Sequence, residues 1–430
     1  MSVAIIGGGY AGMAAAVELA RQGISVNVFE TGKTLGGRAR RVEYRHHALD
    51  NGQHILSGAY SELLSLMHMV GAPDDALLRI PLTLIHRDFL LRAPRLPAPW
   101  HLVWALLLAH GLSWAERWAA MQFMRALKQA GFRVERNLTV QSLLLQHQQT
   151  PNAIRLLWES LCVAALNTPP SVASAQVFVN VLRDSLCGAR AASDLLLPRV
   201  DLTALFPAPA AKWLHAHSGH VFPETRVTHI QAISAGYRLH AGSELREYRA
   251  VICAVGAHQL ELLAHEDSPL LSFFRDTTGH FQYEPIYTIY IQYPASIKLA
   301  APLVGQTTGI AQWFFDREAL TGNRGLVAAV VSASGPHQKM EHHQLANQVH
   351  RELETLTATL PLPVWSKIIA EKRATFACHA GLKRPCTETP FSGLFLAGDY
   401  TESPYPATLE GAVRSGREAA RHCADYLRNF

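Results

Sequence analysis

The first thirty residues contain two apolar runs, and a glycine-rich turn and a helical stretch lie between them. An apolar run at Val3–Ile6 leads into Gly7-Gly8-Gly9-Tyr10-Ala11-Gly12, and a helical stretch follows from Met13 to Ala20 and ends near Gly23. Ile24–Phe29 is a second strand-like run, closed by Glu30. This order predicts a strand–helix–strand unit at the start of the chain.

Further along, the pattern alternates between helical and strand periodicity. Ser113-Trp114-Ala115-Glu116 has the form of a capping box and predicts a helix that runs toward Gly131. Further helices are predicted at about 154–165, 172–186 and 342–360, and strands at 226–233, 237–241, 248–255, 287–291 and 325–332. The alternation favours an α/β fold in which a mixed substrate domain interrupts a parallel-sheet nucleotide domain.

Composition then narrows the class of protein. The 430 residues are 49% hydrophobic and only 17% charged, with a formal net charge of +5. No apolar run reaches the roughly 18 residues of a membrane span, and the positive charge is too dilute to indicate nucleic acid. Six scattered cysteines without a C-x-x-C spacing, and no signal-peptide pattern, favour a cytoplasmic protein with reduced thiols. Adjacent histidines at 46–47 and 342–343 lack ligand partners, so no metal site is expected.

The glycine motif between strand and helix carries specific chemistry. Gly7 allows a tight turn, Gly9 lets the backbone approach a pyrophosphate, and Gly12 lets the helix pack closely on the strand. The helix N-terminus supplies an anion site. Glu30, at the end of the second strand, is placed to accept hydrogen bonds from ribose hydroxyls. Strand, helix and distal acid together predict dinucleotide binding.

Motifs near both ends of the chain indicate which dinucleotide. Leu35-Gly36-Gly37-Arg38 follows Glu30, and an apolar run at 393–397 ends in Gly398-Asp399 before Pro406-Ala407-Thr408 opens the last helix. Together they resemble the FAD fingerprint of the flavoprotein group that contains amine oxidases, carotenoid desaturases and the GDP-dissociation inhibitors. The resemblance implies a discontinuous Rossmann-like FAD domain with an α+β substrate domain.

Three further segments narrow the resemblance. Residues 49–54 (LDNGQH), 371–376 (EKRATF) and 406–416 (PATLEGAVRSG) are similar to the hydroxysqualene dehydroxylase family, the squalene-associated branch of this group, and the likeness runs along essentially the whole chain. The family implies reductive removal of the hydroxyl group of hydroxysqualene, giving squalene for hopanoid synthesis. Tyr400 and Tyr405 depart from the Trp and Leu that we expect in many relatives.

The resemblance implies domain boundaries and a set of cofactor contacts. The FAD domain is expected at 1–75, 205–265 and 385–430, and the substrate domain at 76–204, with helices at 96–130, and at 266–384. Beyond the glycine motif and Glu30, the expected FAD contacts are Tyr10, Ala11, Gly36, Gly37, Arg38, Gly52, Gln53, His54, Val227, Gly256, Gly398, Asp399, Ala407 and Thr408.

Dehydroxylation needs hydride from reduced flavin and a proton for the departing water. His54 is the candidate acid because its ordinary pKa lies near neutrality, and Asp50 is placed to orient or recharge it. The alternative is that 50–54 is only a flavin-contacting turn. Tyr405, a third catalytic candidate, and Tyr400 either line the pocket beside the flavin or are ordinary core aromatics.

A tryptophan-rich segment suggests a membrane partner. Half of the eight tryptophans fall at positions 100, 104, 114 and 118, and residues 86–136 carry eight Lys/Arg against three acids. Interfacial tryptophans and cations are typical of a peripheral contact with anionic lipid. The expectation is therefore a cytoplasmic protein on the inner face of a bacterial membrane, and the alternative is a buried helical hairpin.

Two other functions use the same fold. An oxidative carotenoid-type desaturase would pass hydride to the flavin, and a prenyl-binding escort protein would perform no redox chemistry. Gly36-Gly37-Arg38 and Gly398-Asp399 in their FAD-binding positions argue against the escort. No second G-x-G-x-x-G is present, so the electron donor for the flavin is external and not identified by the sequence.

Overall fold

A computed structural model describes residues 2–357 and 360–429. The strands are β1 (Ser2–Ile6), β2 (Ser25–Phe29), β3 (Arg41–Tyr44), β4 (His47–Asp50), β5 (Leu56–Ser57), β6 (Leu77–Ile80), β7 (Thr83–His86), β8 (Phe89–Arg92), β9 (Leu195–Pro198), β10 (Gly219–Phe222), β11 (Val227–Ile233), β12 (Gly236–Ala241), β13 (Glu244–Tyr248), β14 (Ala250–Cys253), β15 (Tyr283–Gln292), β16 (Leu303–Gly305), β17 (Trp313–Asp316), β18 (Leu326–Ser332), β19 (Trp365–Phe376) and β20 (Leu394–Leu396).

The α-helices alternate with the strands along the chain. They are α1 (Tyr10–Arg21), α2 (Ser61–Met69), α3 (Trp100–Leu107), α4 (Trp114–Gln129), α5 (Val140–Gln146), α6 (Pro151–Ala153), α7 (Glu159–Leu166), α8 (Ala175–Leu186), α9 (Leu202–Leu205), α10 (Pro207–His215), α11 (Pro269–Thr278), α12 (Arg317–Thr321), α13 (His342–Glu354) and α14 (Leu409–Arg428). A π-helical turn, Ile154–Trp158, joins α6 to α7, and short 3₁₀ turns occupy 190–193, 257–263 and 336–339.

A five-stranded parallel sheet forms the first layer of the fold. Its order is β10-β2-β1-β14-β20, and every neighbouring pair is parallel. Val3 and Ile5 of β1 face the helices α1, α10 and α14, whereas Ala4 and Ile6 face the opposite core. Because both faces are covered at the centre of the sheet, β14 and β20 and all of β1 after Ser2 consist of buried apolar residues. The α/β fold class with a parallel sheet is therefore confirmed.

A second sheet, antiparallel throughout, has the order β16-β17-β18-β15-β19. Ile289 and Ile291 of β15 pack with Leu345 and Val349 of α13 on one face. The side chains of Tyr290 and Trp313 lie on the other face, in the large core shared with the helices α3 to α8. Alternation along each strand thus separates a helix-covered face from a face turned toward the interior.

Most predicted elements are present, with shifted ends. Ser113 accepts from the N–H of Glu116, whose carboxylate accepts from the N–H of Ser113, so the predicted capping box opens α4. The helix predicted at 172–186 begins at Ala175 because the Ser174 side chain caps it. The strand predicted at 248–255 is shorter because the chain leaves the antiparallel β13 at Tyr248 and enters the parallel sheet at Ala250.

The helix predicted over 342–360 is too long. It ends at Glu354, and Thr355 is its C-cap; residues 358–359 lie outside the described chain. Within the described residues, no helix has the length and apolarity needed to cross a membrane. The five strands of the parallel sheet come from four separated regions of sequence, and the domain boundaries expected around them stay a prediction.

Candidate cofactor and substrate cleft

A cleft of about 820 Å³ opens where the strands of the parallel sheet end. Gly7, Glu30, Ala254 and Gly398 follow the carboxyl ends of β1, β2, β14 and β20, and all four line it. In open α/β sheets this edge is the ordinary place for a ligand. The volume lies in the upper part of the range of cofactor pockets.

The three glycines of the turn between β1 and α1 have different surroundings, and the approach of Gly9 to a pyrophosphate stays a prediction. A Cβ at Gly7 would lie 2.6 Å from the carbonyl oxygen of Ala254, and one at Gly12 would lie 2.0 Å from that of Gly7. A Cβ at Gly9, which lines the cleft, would have no atom closer than 3.8 Å, and its nearest neighbours would be Gly36 and Gly37. Gly7 and Gly12 therefore serve packing, and Gly9 leaves room for a ligand.

The N-terminus of α1 is available to an anion. Gly9 is its N-cap, and no side chain of the described residues caps it. Tyr10 and Ala11 of its first turn line the cleft. The first backbone N–H groups of a helix lack intrahelical partners and favour phosphate.

Glu30 lines the cleft with both carboxylate oxygens engaged. One oxygen accepts from the N–H of Gly8 at 2.8 Å, and the other accepts from the N–H of Gly32 at 2.7 Å. These bonds fix the carboxylate at the end of β2, and its remaining acceptor capacity is available to hydroxyl groups. Lys33 and Arg226, which the sequence analysis missed, line the same end.

An ion pair joins the two ends of the chain across the cleft. The Arg38 guanidinium donates to Oδ1 of Asp399 at 2.6 Å and to the carbonyl oxygen of Ala374 at 2.6 Å. Gly36 and Gly37 precede Arg38 with positive φ angles of 118° and 62°, and Gly36 forms a parallel bridge to Gly9. Residues separated by 361 positions thus share one wall.

The N-terminus of α14 is a second helix end on the cleft. Thr408 caps it by accepting from the N–H of Gly411, and Ala407 and Thr408 line the wall. Negative charge is stabilised near a helix N-terminus. Gly52, Gln53, Val227 and Gly256 also line the cleft, as expected from sequence.

His54 lines the cleft, and its Nδ1 lies 2.9 Å from the carbonyl oxygen of Gly52. Because a carbonyl oxygen only accepts, the neutral imidazole carries its proton on Nδ1 and leaves Nε2 as an acceptor. Burial lowers the pKa of His54 below 6.5, and the charge of Arg38 acts in the same direction, while the bond to Gly52 opposes both. At neutral pH His54 is therefore a base in its resting state.

Asp50 does not support His54, and the expected pairing is wrong. The Asp50 side chain is fully buried, absent from the cleft wall, and accepts from the backbone N–H of Leu202 at 2.8 Å. Its other oxygen lies 3.8 Å from Nη1 of Arg317. Neighbours from distant parts of the chain hold it on the far side of the 51–54 segment.

Tyr405 and Tyr400 are not part of the cleft wall either. The Tyr405 hydroxyl donates to Asp184 at 2.6 Å, and Arg414 lies over its ring. Tyr400 is buried with its ring 6.4 Å from that of Phe281. Tyr400 is therefore a core aromatic. The catalytic role expected for Tyr405 is not supported, because its hydroxyl is bonded to Asp184 and its side chain does not line the cleft.

The far arm of the cleft is apolar and was not predicted. This arm is defined here by side chains of α7 and of the second sheet: Ala164, Ala165, Ile286, Trp313, Phe315 and Val330. Trp313 and Phe315 alternate along β17, a signal too short to separate from a core strand. The polar residues Asn51, Asn167 and Glu371 also line the cleft.

The two arms define the class of protein. Two helix N-termini, a glycine turn with open space at Gly9 and the Glu30 carboxylate in the wall fit a flavin dinucleotide at the polar arm. The remaining wall is apolar. The fold and cleft are those of a flavin-dependent oxidoreductase.

The chain belongs to the family described as flavin containing amine oxidoreductase, whose model matches residues 10–424. FAD is accordingly the cofactor, as the sequence motifs predicted.

Relatives match nearly the whole chain. It is 26% identical to a hydroxysqualene dehydroxylase of Zymomonas mobilis and 28% identical to one of Rhodopseudomonas palustris, with 97% of each chain covered in both cases. It is 24% identical to a zeta-carotene desaturase of Arabidopsis thaliana over 99% of this chain and 85% of the relative. An oxidoreductase from Methanosarcina mazei shares the fold, with a TM-score of 0.76, 16% identity and coverage of 98% and 100%.

Replacing Gly9 separates cofactor binding from folding. Gly9→Val places a side chain in open cleft at an ordinary φ of −77°, so we expect an unchanged melting temperature without FAD but at least about tenfold weaker FAD binding. Gly12→Val is the matched control, because its side chain would meet the Gly7 carbonyl and destabilise the fold. Flavin fluorescence titration and thermal melts measure both; wild-type FAD affinity in Gly9→Val would contradict the assignment.

Proposed function

We propose that this protein removes the hydroxyl group of hydroxysqualene reductively and releases squalene and water. The observation that carries the proposal is the end-to-end match with hydroxysqualene dehydroxylases, at 26% and 28% identity over 97% of both chains. The carotene desaturase match is lower, at 24%, and leaves 15% of that relative uncovered. A desaturase acting in the oxidative direction is the second candidate.

The cleft supports a long apolar substrate. Its far arm presents apolar side chains from β15, β17 and β18, among them Ile286, Trp313, Phe315 and Val330. Apolar walls exclude water from a carbon centre that becomes cationic when an allylic C–O bond breaks. FAD in its reduced form supplies the hydride that replaces the hydroxyl group.

The reaction also consumes a proton, which leaves with the hydroxyl group as water. His54 lines the cleft, and its Nε2 has no hydrogen-bond partner among the described residues, so we assign it the delivery of this proton. Asp50 cannot reload it, because its carboxylate contacts Leu202 and Arg317. The proton on His54 must therefore come from solvent, and the molecules that react are those in which the imidazole is protonated.

Product analysis tests the reaction itself. Anaerobic protein with FAD, dithionite and hydroxysqualene should form squalene, detected by mass spectrometry, whereas Gly9→Val should form little because it lacks cofactor. Reduced, flavin-loaded protein that leaves hydroxysqualene intact would overturn the proposal. Conversion of zeta-carotene by the oxidised protein would instead establish the desaturase.

The His54 assignment predicts a pH dependence with a defined sign. An acid must carry its proton, and burial lowers the pKa of His54, so the single-turnover rate with pre-reduced flavin should fall as pH rises through a value below 6.5. His54→Ala should lose about a hundredfold in rate and lose this pH step. His229→Ala, an exposed histidine, is the control. A rate in His54→Ala equal to wild type would remove the acid role.

We further propose that the protein takes its substrate at a membrane surface through a tryptophan patch, defined as Trp100, Trp104, Leu108, Trp114 and Trp118. The four tryptophans are 46% to 69% exposed. They stand at i, i+4 spacing on two adjacent helices, α3 and α4. Buried residues such as His101, Ala105 and Phe123 occupy the inner faces. Exposing a tryptophan side chain to water is energetically unfavourable, whereas its placement at a lipid interface is favourable.

The segment that carries the patch is also positively charged. Arg87, Arg92, Arg95, Arg125 and Lys128 are exposed on the same segment. Each cation near an anionic leaflet contributes about 1 kcal/mol to binding. Arg117 lies over the Trp114 ring and donates to the carbonyl oxygen of Leu107, which ties α4 to the end of α3. Arg117 thus holds the two helices of the patch together. The exposed cations supply the positive charge that attracts anionic headgroups.

Vesicle flotation tests the membrane contact. The wild type should float with phosphatidylglycerol vesicles at low salt, and Trp104→Ala/Trp118→Ala should bind about tenfold more weakly, since two interfacial anchors are lost. Leu245→Ala removes an equally exposed apolar side chain on β13 and is the control. A double variant that floats as well as the wild type, or a wild type that stays soluble, would contradict this contact.

A further inference from the structure

A buried ion pair lies directly behind the cleft wall. Arg317 at the start of α12 is 1% exposed and Asp50 at the end of β4 is 0% exposed. They approach to 3.8 Å between Nη1 and Oδ2, too far for a hydrogen bond. Two full charges are thus removed from water without the close contact that would best compensate them.

Both charges hold parts of the 50–54 segment. Arg317 Nη1 donates to Oε1 of Gln53 at 2.7 Å. Oδ1 of Asp50 accepts from the N–H of Leu202, and the Tyr290 hydroxyl bridges the backbone N–H and C=O of Asp50. Gly52, Gln53 and His54 line the cleft immediately afterwards. Since an arginine only donates, the bond to Arg317 also fixes which way the Gln53 amide points.

Stability does not explain such a pair. Desolvating two charges costs several kcal/mol per ion, and well-packed apolar residues in their place are often as stable or more so. Burial raises the pKa of Asp50 to about 7, even though Arg317 and the Leu202 N–H favour the ionised form. The carboxyl group is ionised above that pH and pays an electrostatic penalty for it. A role in the adjoining cleft accounts for keeping both charges.

We propose that Arg317 is a positioning residue for the Gln53 side of the cleft wall, and that Arg317 and Asp50 together set the reduction potential of the bound flavin. This inference rests on FAD in the cleft and not on the dehydroxylation of hydroxysqualene. The inference can therefore be wrong while the proposed dehydroxylation is right, and the dehydroxylation can be wrong while the inference is right.

The direction in which Asp50 and Arg317 shift the reduction potential of the flavin follows from the sign of their charges. Reduction of a flavin adds electrons to the cleft, so a nearby positive charge favours it and a nearby negative charge opposes it. In a buried setting such effects are little screened by salt. Removing the carboxylate alone leaves the charge of Arg317 uncompensated, and removing both charges restores the original balance.

Two variants separate the effect of the Asp50 charge from that of the Arg317–Gln53 hydrogen bond. Asp50→Asn at pH 8.5 keeps an acceptor for the Leu202 N–H and the Arg317–Gln53 bond, so it should raise the flavin midpoint potential and leave FAD affinity unchanged. Asp50→Asn/Arg317→Met should return the potential toward wild type but weaken FAD binding about tenfold, because the charged hydrogen bond to Gln53 is lost.

Dye-equilibrated reductive titration measures the potential, and flavin fluorescence measures the affinity. Asp75→Asn, the same chemical change at an exposed loop position, is the control and should shift neither. An Asp50→Asn potential equal to that of Asp75→Asn would overturn the electrostatic role. Equal FAD affinities in the single and double variants would overturn the positioning role. If Asp50→Asn does not fold, the double variant, which buries no unpaired charge, still tests positioning against the wild type.

Discussion

The rest of the structure depends on how closely helices α1 and α14 pack, although they come from opposite ends of the chain. A Cβ at Gly416 of α14 would lie 2.1 Å from the carbonyl oxygen of Ala11 in α1. Backbone therefore meets backbone where the two helices pack. The N-termini of both helices open onto one cleft, and the Arg38–Asp399 pair lies in its wall. A flavin diphosphate needs this convergence more than it needs any single side chain.

The parts that sequence predicted well are those fixed by backbone chemistry. Gly7, Gly9 and Gly12 have separate roles that follow from their spacing between a strand and a helix, and the structure gives each a matching environment. Ser113 and Glu116 likewise specify a helix start by contacts within four residues. The spacing of these residues is visible in a short stretch of sequence, although Gly7 also packs against the distant Ala254.

The predictions that failed depended on partners far away in sequence. Asp50 was expected beside His54, but Leu202 and Arg317 hold it elsewhere. Tyr405 was expected in the pocket, but Asp184, 221 residues before it, takes its hydroxyl. A motif gives the position of a residue along the chain and not the direction of its side chain. No local pattern marks Arg317 as a partner of Gln53, because the two meet only when β17 docks against the cleft wall.

The low charge content is reflected in an apolar core that extends from the tryptophan patch to the cleft. One continuous apolar cluster includes Ala105 of α3, Phe89 and Leu91 of β8, and Trp313 and Phe315 of β17. The first of these lies under the tryptophan patch, and the last two line the cleft. An isoprenoid carries almost no polar group with which to be recognised, so the proposed uptake of such a substrate relies on apolar contact. Glu30, Arg38 and His54 instead place polar groups in the cleft wall, where the proposed function requires them.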